Sequence, residues 1–345
     1  MAVTIHDIAN KVGVSKTTVY RALNNKPRIS KETYDLIIKT AQELNYFPNK
    51  LASGLRSKRS MAIGLIFNDL ISGHFFSDIF NGIEDSAIQN DYGVILGCSN
   101  GDPHKEKLLL NLFAERQVDG IIVAPTYGVD TECYRRLQEE RIPFVFIDKY
   151  IPEIATDIVT TDDFFGSYEA VSHLIRLGHR NIAILIGPEY PCSTIEKRIE
   201  GYRKALRDNR LEHEGIISFT EKMTNQRKYG YLAVGRYLAE NESKNTAIFA
   251  INDSLAIGAL KALREHNLRV PADVAVIGYN NDEIDEYLDI QLTTVLQPKY
   301  EMGKKAMELL LKRINRDKEA AAPATHYEYI NLRPQLIIRD SCGSR

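Results

Sequence analysis

Nothing in this 345-residue chain approaches the ~20 consecutive apolar side chains that a membrane-spanning helix needs; Met61 to Phe67 is about the longest such run. The opening residues, Met1 to Asp7, have neither the basic flank nor the apolar stretch of a secretion signal. Four cysteines, Cys98, Cys133, Cys192 and Cys342, lie far apart, with no Cys-x-x-Cys pair and no metal-ligand spacing. That excludes a disulfide framework and points to free thiols in a reduced, cytoplasmic setting. A Gly-rich phosphate loop and a His-Glu-x-x-His pair are both missing, and the eight histidines are scattered. No metal, cofactor or nucleotide chemistry is therefore expected, and His173 and His179 read as packing or polar-network residues.

What is present is uneven in charge. Residues 1–59 hold eleven Lys/Arg against four acids, a net of +7, whereas the whole chain carries -2. A small basic head on a large acidic body implies a polyanionic partner for the head alone. A length of 345 residues is more than one domain's usual share.

The head has the pattern of two short helices joined by a tight turn. Ile5, Ile8, Ala9 and Val12 line one face at helical spacing behind Thr4 as N-cap, and Gly13 permits the left-handed residue that stops the helix. Ser15 caps a second helix, Lys16 to Asn24, with Val19, Ala22 and Leu23 facing inward. Small Ala9 lets the two helices approach, which is the helix-turn-helix arrangement. Lys16, Thr17, Thr18 and Arg21 then point outward near the start of the second helix, where base edges are read. A third helix, Lys31 to Leu44 behind Ser30, closes the core with Ile37, Ile38, Ala41 and Leu44. Each outward residue alone would be an ordinary solvated side chain; the Gly turn, the apolar order and the basic surplus together favour DNA contact.

Pro48 ends the third helix, because the residue before proline avoids helical geometry. The following segment to Arg59 is too short for a stable isolated helix, and Gly54 weakens it further. Two readings stay open: a flexible tether, or a linker that folds only against DNA and wedges Leu55 between base steps of the minor groove.

From Met61 onward, short apolar runs alternate with amphipathic stretches. Strand-like runs are Ala62–Phe67, Gly93–Cys98, Gly120–Ala124, Phe144–Asp148, Ile182–Ile186, Ala247–Ile251 and Val274–Gly278, with helix-like stretches at Phe75–Asn90, Lys105–Arg116, Ser167–Leu177 and Ser254–His266. The alternation means parallel sheets covered by helices on both faces, and the number of units suggests two lobes. Ligands in such sheets lie beyond the carboxyl ends of the strands. Asp148, Asn252 and Asn280 fall there, and Arg198 follows the loop at Gly187-Pro188. With Phe75, Phe76 and Phe164 nearby, this set suits a polyhydroxylated ligand, polar groups taking hydroxyls and rings stacking on the apolar face. Asp253 is expected only to cap the helix at Ser254.

Thr4-Ile5-His6-Asp7-Ile8-Ala9, Val12-Gly13-Val14-Ser15, Thr18 to Asn24 and Glu43 to Asn49 resemble the head of lactose-repressor/galactose-repressor regulators. The resemblance continues through Gly82-Ile83-Glu84, Val118-Asp119-Gly120, Leu177-Gly178-His179-Arg180, Asn252-Asp253 and Gln297-Pro298 with Met302-Gly303. It implies a small all-α helix-turn-helix head at 1–47, a hinge at 48–59 and a two-lobed, periplasmic-binding-protein-like α/β body at 60–345. The first lobe would take about 60–161 and 292–325, the second about 162–291 and 326–340. It also implies DNA contacts at Thr4, Ser15, Lys16, Thr17, Thr18, Tyr20, Arg21, Asn24, Asn49, Lys50, Ala52, Leu55 and Arg56. Effector contacts would be Phe75, Phe76, Asp148, Phe164, Arg198, Asn252, Asn280 and Gln297. Tyr20 stands where the family usually has Ser, and Asn280 where it often has Asp. The implied function is a homodimeric regulator, expected to repress, on a near-palindromic operator and answering to a carbohydrate-like effector.

Two rivals follow from the same residues. Gly97-Cys98-Ser99-Asn100-Gly101 spells a Gly-x-Ser-x-Gly nucleophile elbow, but Asp102 and Pro103 start the next helix, leaving Ser99 in a loop rather than on a strand-to-helix turn. A transport-type sugar-binding protein would share the body but not the basic head.

Overall fold

The computed structural model describes residues 3–23, 27–46, 59–68, 75–188, 192–212, 214–219, 221, 223–240, 245–316 and 326–343. In the first unit, Met1–Ser60, three helices form: α1 (Ile5–Val12), α2 (Lys16–Leu23) and α3 (Lys31–Glu43). The start of α1 is fixed by Thr4, whose backbone N–H and hydroxyl both donate to Asp7 Oδ2 at 2.8 Å. These bonds hold the Asp7 carboxyl below its ordinary range. Gly13 ends α1 at φ +75°, a conformation that costs glycine nothing. Ser15 Oγ accepts from the Thr18 N–H at 3.1 Å, and Ser30 Oγ from the Thr33 N–H at 3.3 Å, so both expected caps form. Ile8, Ala9, Val19, Ala22, Ile37 and Ala41 make the core. Ile38 is only half-buried, and Thr40 takes the inward place beside Ala41. The expected hinge residues up to Lys58, and Asn24, lie outside the described residues.

The second unit, Met61–Arg345, opens with β1 (Ala62–Phe67), α4 (Phe75–Gln89), β2 (Gly93–Cys98), α5 (Pro103–Glu115), β3 (Gly120–Val123), α6 (Glu132–Glu139), β4 (Phe144–Ile147) and β5 (Asp157–Thr161). It continues with α7 (Asp163–Arg176), β6 (Ile182–Leu185), α8 (Ser193–Asp208), β7 (Gly215–Ile217), α9 (Gln226–Glu240), β8 (Ala247–Ala250), α10 (Asp253–Glu265) and β9 (Ala275–Ile277). It closes with β10 (Thr294–Leu296), α11 (Lys299–Arg316), β11 (Tyr329–Leu332) and β12 (Gln335–Ile337). Six strands pair in the order β11-β5-β4-β3-β1-β2 and four in the order β7-β6-β8-β9, every pair parallel. Strands covered on both faces must be apolar on both, which is why the sequence shows continuous runs rather than alternation.

In the first lobe, α4 and α11 cover one face through Ile79, Ile83, Met302 and Leu310, while Leu110, Phe113, Tyr134 and Leu137 from α5 and α6 cover the other. The second lobe gathers Ala170, Leu174, Tyr202, Val234, Leu255 and Leu263 around its four strands. Among the described residues no helix is long and apolar enough to cross a membrane.

Three boundaries differ from the sequence reading. The stretch 326–340 was expected in the second lobe, yet β11 pairs with β5 in the first sheet, Ile330 opposite Val159. The stretch from 292 was expected in the first lobe, yet β10 pairs antiparallel with β12 and bridges Asn280, so the crossing falls at Gln297-Pro298. The helix expected from Ser167 starts at Asp163, because Asp162 accepts the Phe165 N–H at 3.0 Å. Polar residues at a helix start hide the beginning of an apolar period. The other misses are short: β5, β7 and β12 contain three to five residues, too few to display a period.

Helices α4 and α11 cross at two glycines. A Cβ on Gly303 would lie 2.0 Å from the Ile79 carbonyl oxygen, and one on Gly82 2.1 Å from that of Tyr300. Gly303→Ala is expected to force the helices apart and cost roughly 1–3 kcal/mol or more in urea unfolding. An unchanged unfolding midpoint would contradict this contact.

Candidate functional site

On the head, Thr4, Ser15, Lys16, Thr17 and Arg21 are exposed, while Thr18 and Tyr20 are half-buried. The Ser15 and Thr18 hydroxyls lie 2.9 Å apart, which fixes Thr18 at the start of α2. Arg21 is one helical turn further along, so α2 presents Lys16, Thr17 and Arg21 together from one rigid element. A helix presented this way offers two cations and a hydroxyl to a polyanion's groove.

Between the lobes of the body lies a cavity of about 100 Å³. The first lobe contributes Asn68, Phe75, Phe76, Asp148 and Lys149; the second contributes Pro188, Thr194, Arg198, Gln226, Asn252, Ser254, Asn280 and Asp282 among others. Phe76 stacks on Phe67 at 4.5 Å and meets Phe75 edge-on at 5.0 Å, giving the cavity a rigid aromatic wall. Asp148 follows β4 at φ +64°, which a short polar side chain tolerates. Its N–H donates to Val159 O at 3.0 Å and its carbonyl accepts from Thr160 Oγ1 at 3.0 Å, so the carboxylate leaves the sheet at a fixed angle.

Arg198 is held on three sides. Its Nε donates to Asp163 Oδ1 at 2.8 Å, its Nη1 to the Ile251 carbonyl at 2.6 Å, and its guanidinium lies 3.9 Å over the Tyr279 ring. Burial opposes the charge, but the Asp163 carboxylate overcomes it and raises the Arg198 pKa, so the cation persists at any working pH. Asn252 caps α10: its Oδ1 accepts the Leu255 N–H at 2.8 Å and its Nδ2 donates to Gln226 Oε1 at 2.5 Å. Asn280 sits at φ +127°, a sparsely populated conformation costing about 1–3 kcal/mol, and its N–H donates to Val295 O at 2.9 Å.

Six expected effector residues therefore line one cavity: Phe75, Phe76, Asp148, Arg198, Asn252 and Asn280. Two do not. Gln297 lies behind Asn280, donating from Nε2 to Asn280 Oδ1 at 2.8 Å. Phe164 stacks outward on Tyr168 at 6.4 Å, because α7 starts earlier than its apolar period suggested. Asp163 was missed, being hidden among other acids with no motif to mark it, whereas Asp282, expected at the strand end with Asn280 and Asn281, does line the cavity. Asp253 is not the cap of α10. It is fully buried, accepting from Thr294 Oγ1 at 2.6 Å and from the Asp282 N–H at 3.0 Å. Ser99 is also fully buried, its Oγ 3.0 Å from Thr126 Oγ1, so no substrate reaches it. His179 Nδ1 lies 2.9 Å from Thr246 Oγ1, a structural role.

Residues 4–49 match the model for bacterial regulatory proteins of the lacI family, and residues 171–342 that for a periplasmic binding protein-like domain. The chain is 32% identical over 341 residues to the HTH-type transcriptional repressor PurR of Haemophilus influenzae (strain PittEE), covering 99% of each. It superimposes with a TM-score of 0.83, at 26% identity and 99% coverage of both chains, on the Lac repressor dimer bound to operator and the anti-inducer ONPF. A LacI family transcriptional regulator from Enterococcus faecium with bound ribose is 33% identical, with a TM-score of 0.69; 81% of this chain and 98% of that one align.

The acids behind the cavity make a pH prediction. Among the described residues, no N–H or O–H group donates to either buried Asp285 carboxyl oxygen, and the carboxyl faces Asp253. Asp253 has the other donors, so it holds the charge and Asp285 keeps the proton, its pKa pushed up by burial and by Asp253 to about 10. An unfolded Asp ionises near about 3.9. Stability from this group is thus full below about pH 4 and is lost as pH rises toward 10. Asp285→Asn keeps a donor for Asp253 without ionising; it is expected to raise Tm at pH 8 by several degrees and flatten the pH dependence. A lower Tm at pH 8 would reject the assignment.

Proposed function

The chain belongs to the lacI family of bacterial regulatory proteins, and we propose that its head reads an operator half-site while the cavity binds a carbohydrate or carbohydrate derivative that sets operator affinity. The chain is a DNA-binding transcriptional regulator by family, and its relatives are regulators rather than enzymes or transport proteins. The observation that carries the effector reading is the convergence of Asp148, Arg198, Asn252 and Asn280 beside Phe75 and Phe76. Carboxylate, guanidinium and carboxamides give both donors and acceptors, as paired hydroxyls require. Asp148 and Asp282 balance Lys149 and Arg198 in the cavity wall, which favours a ligand of little net charge over a highly charged one. The ribose-bound relative is consistent with this class.

In this reading, residues 1–47 are the DNA-binding unit, 48–59 the hinge and the remainder the sensor. Arg21 reads a base through its fork of donors, Lys16 and Thr17 contact the backbone or a neighbouring base, and Tyr20 alters base choice where the family has Ser. Thr4 and Ser15 position the helices on phosphate. Asn24, Asn49, Lys50, Ala52, Leu55 and Arg56, outside the described residues, keep the DNA roles expected from their sequence. Effector binding changes lobe closure, and operator affinity changes by the difference in stability between two states.

The regulator acts as a homodimer, each head taking one half-site. Edge strand β2 leaves Ile95 and Leu96 exposed, and Leu108 and Leu112 lie exposed one turn apart on α5. Such an apolar surface at a sheet edge suits a second copy of the chain. Leu96→Lys is expected to shift sedimentation toward the monomer at micromolar concentration; a dimer unaffected by this change and by Leu108→Glu would place the interface elsewhere.

Operators selected from random DNA test the head. Arg21→Ala should relax preference at one position, at a cost of about 1–3 kcal/mol, whereas Lys50→Ala should weaken all sequences alike. Uniform loss from both would remove Arg21 from base readout. A thermal-shift screen of sugars, sugar phosphates and purines, repeated with Arg198→Met, tests the cavity: a ligand that stabilises the wild type should lose its effect.

A further inference from the structure

Lys299 opens α11 immediately after the chain crosses from the second lobe to the first. Its side chain is only 5% exposed. Nζ lies 3.1 Å from Asp78 Oδ2 on α4, 3.2 Å from the Asn281 carbonyl oxygen and 3.8 Å from Asp282 Oδ1. Asp78 and Lys299 belong to the first lobe; Asn281 and Asp282 belong to the second, and Asp282 lines the cavity. A buried ammonium is tolerated only with compensating acceptors, and here they come from both lobes.

The segment that presents Asp282 is itself held from several sides. Asn280 and Asn281 have φ of +127° and +54°, Arg339 Nη2 donates to Asn281 Oδ1 at 2.8 Å, and the Asp282 N–H donates to Asp253. Lys299 is the contact in this set that arrives from the opposite lobe.

We propose that Lys299 is a positioning residue for the effector site: it holds the Asp282 carboxylate in the cavity wall from across the cleft. Completion of the site and closure of the lobes are then a single event. This rests on the cavity being the effector site. A ligand hydroxyl that donates to Asp282 shares that carboxylate with Lys299, so occupancy and closure bias each other.

The test uses the full-length protein without ligand, because closure itself is the readout. Small-angle X-ray scattering should give Lys299→Met a larger radius of gyration than wild type. In urea unfolding, Lys299→Met should cost roughly 10-fold or more in the folding equilibrium, and in the Asp282→Asn background that cost should be smaller by about 3-fold, the contacts to Asp78 and the Asn281 carbonyl accounting for the remainder. Lys299→Gln gives the same comparison should the Met variant not fold. Unchanged scattering, or costs that simply add, would overturn the proposal. Arg198→Met separates the two readings. If it abolishes a ligand response that Lys299→Met keeps, with wild-type scattering, the cavity stands and Lys299 falls. If Lys299→Met opens the body while Arg198→Met keeps every ligand response, the effector reading falls.

Discussion

The ion pair between Arg198 and Asp163 is the constraint on which the body's site depends. Both groups are nearly inaccessible to water, and neither could be buried charged without the other. Satisfying the guanidinium fixes four elements at once: α8 carries it, α7 supplies Asp163, the end of β8 supplies the Ile251 carbonyl, and Tyr279 after β9 supplies the ring beneath it. The floor of the cavity is therefore a rigid piece of the second lobe rather than a loop free to rearrange. Asn252, Ser254 and Asn280 inherit their positions from the same strands.

That rigidity makes a two-lobed site useful as a switch. A ligand that touches Arg198 from one side and Asp148 or Phe76 from the other gains its full contact set only when the lobes are together. The free energy it contributes to closure is its differential affinity for the two arrangements, and nothing more. Among the described residues, links across the cleft include the Tyr150 N–H to Ser193 Oγ at 3.2 Å and the Lys299 cluster. Polar links of this kind suit an equilibrium between states of similar energy, whereas a broad apolar contact would lock one of them.

Much of this was legible in the sequence. The head could be read almost residue by residue, because Thr4, Gly13, Ser15 and Ser30 each have a local role that a side chain alone determines. The central strands were legible because burial on both faces makes them continuously apolar. Six of the eight effector candidates line the cavity, and strand ends located Asp148, Asn252 and Asn280 among them. Phe164 and Gln297 were misplaced because helix phase and a strand crossing decide which way they face, and neither depends on residues nearby in sequence. Asp163, and the pairing of Asp282 with Lys299, escaped notice for a related reason. A buried acid and a solvated acid look alike until the partner, Arg198 or Lys299, is brought up from 35 or 17 residues away. Asp253 was taken for a cap because the cap position is local, while Thr294 and Asp285, its actual neighbours, are remote in sequence.

In the proposed function, one chain couples operator binding to occupancy of the inter-lobe cavity. Coupling between two ligands is reciprocal: whatever factor the effector imposes on operator affinity, the operator must impose on effector affinity. The most direct measurement is therefore the effector Kd by isothermal titration, free and saturated with operator, beside the operator Kd with and without effector. The account predicts the same factor in both directions. An effector Kd unchanged by saturating operator, with the cavity occupied in each case, would contradict it.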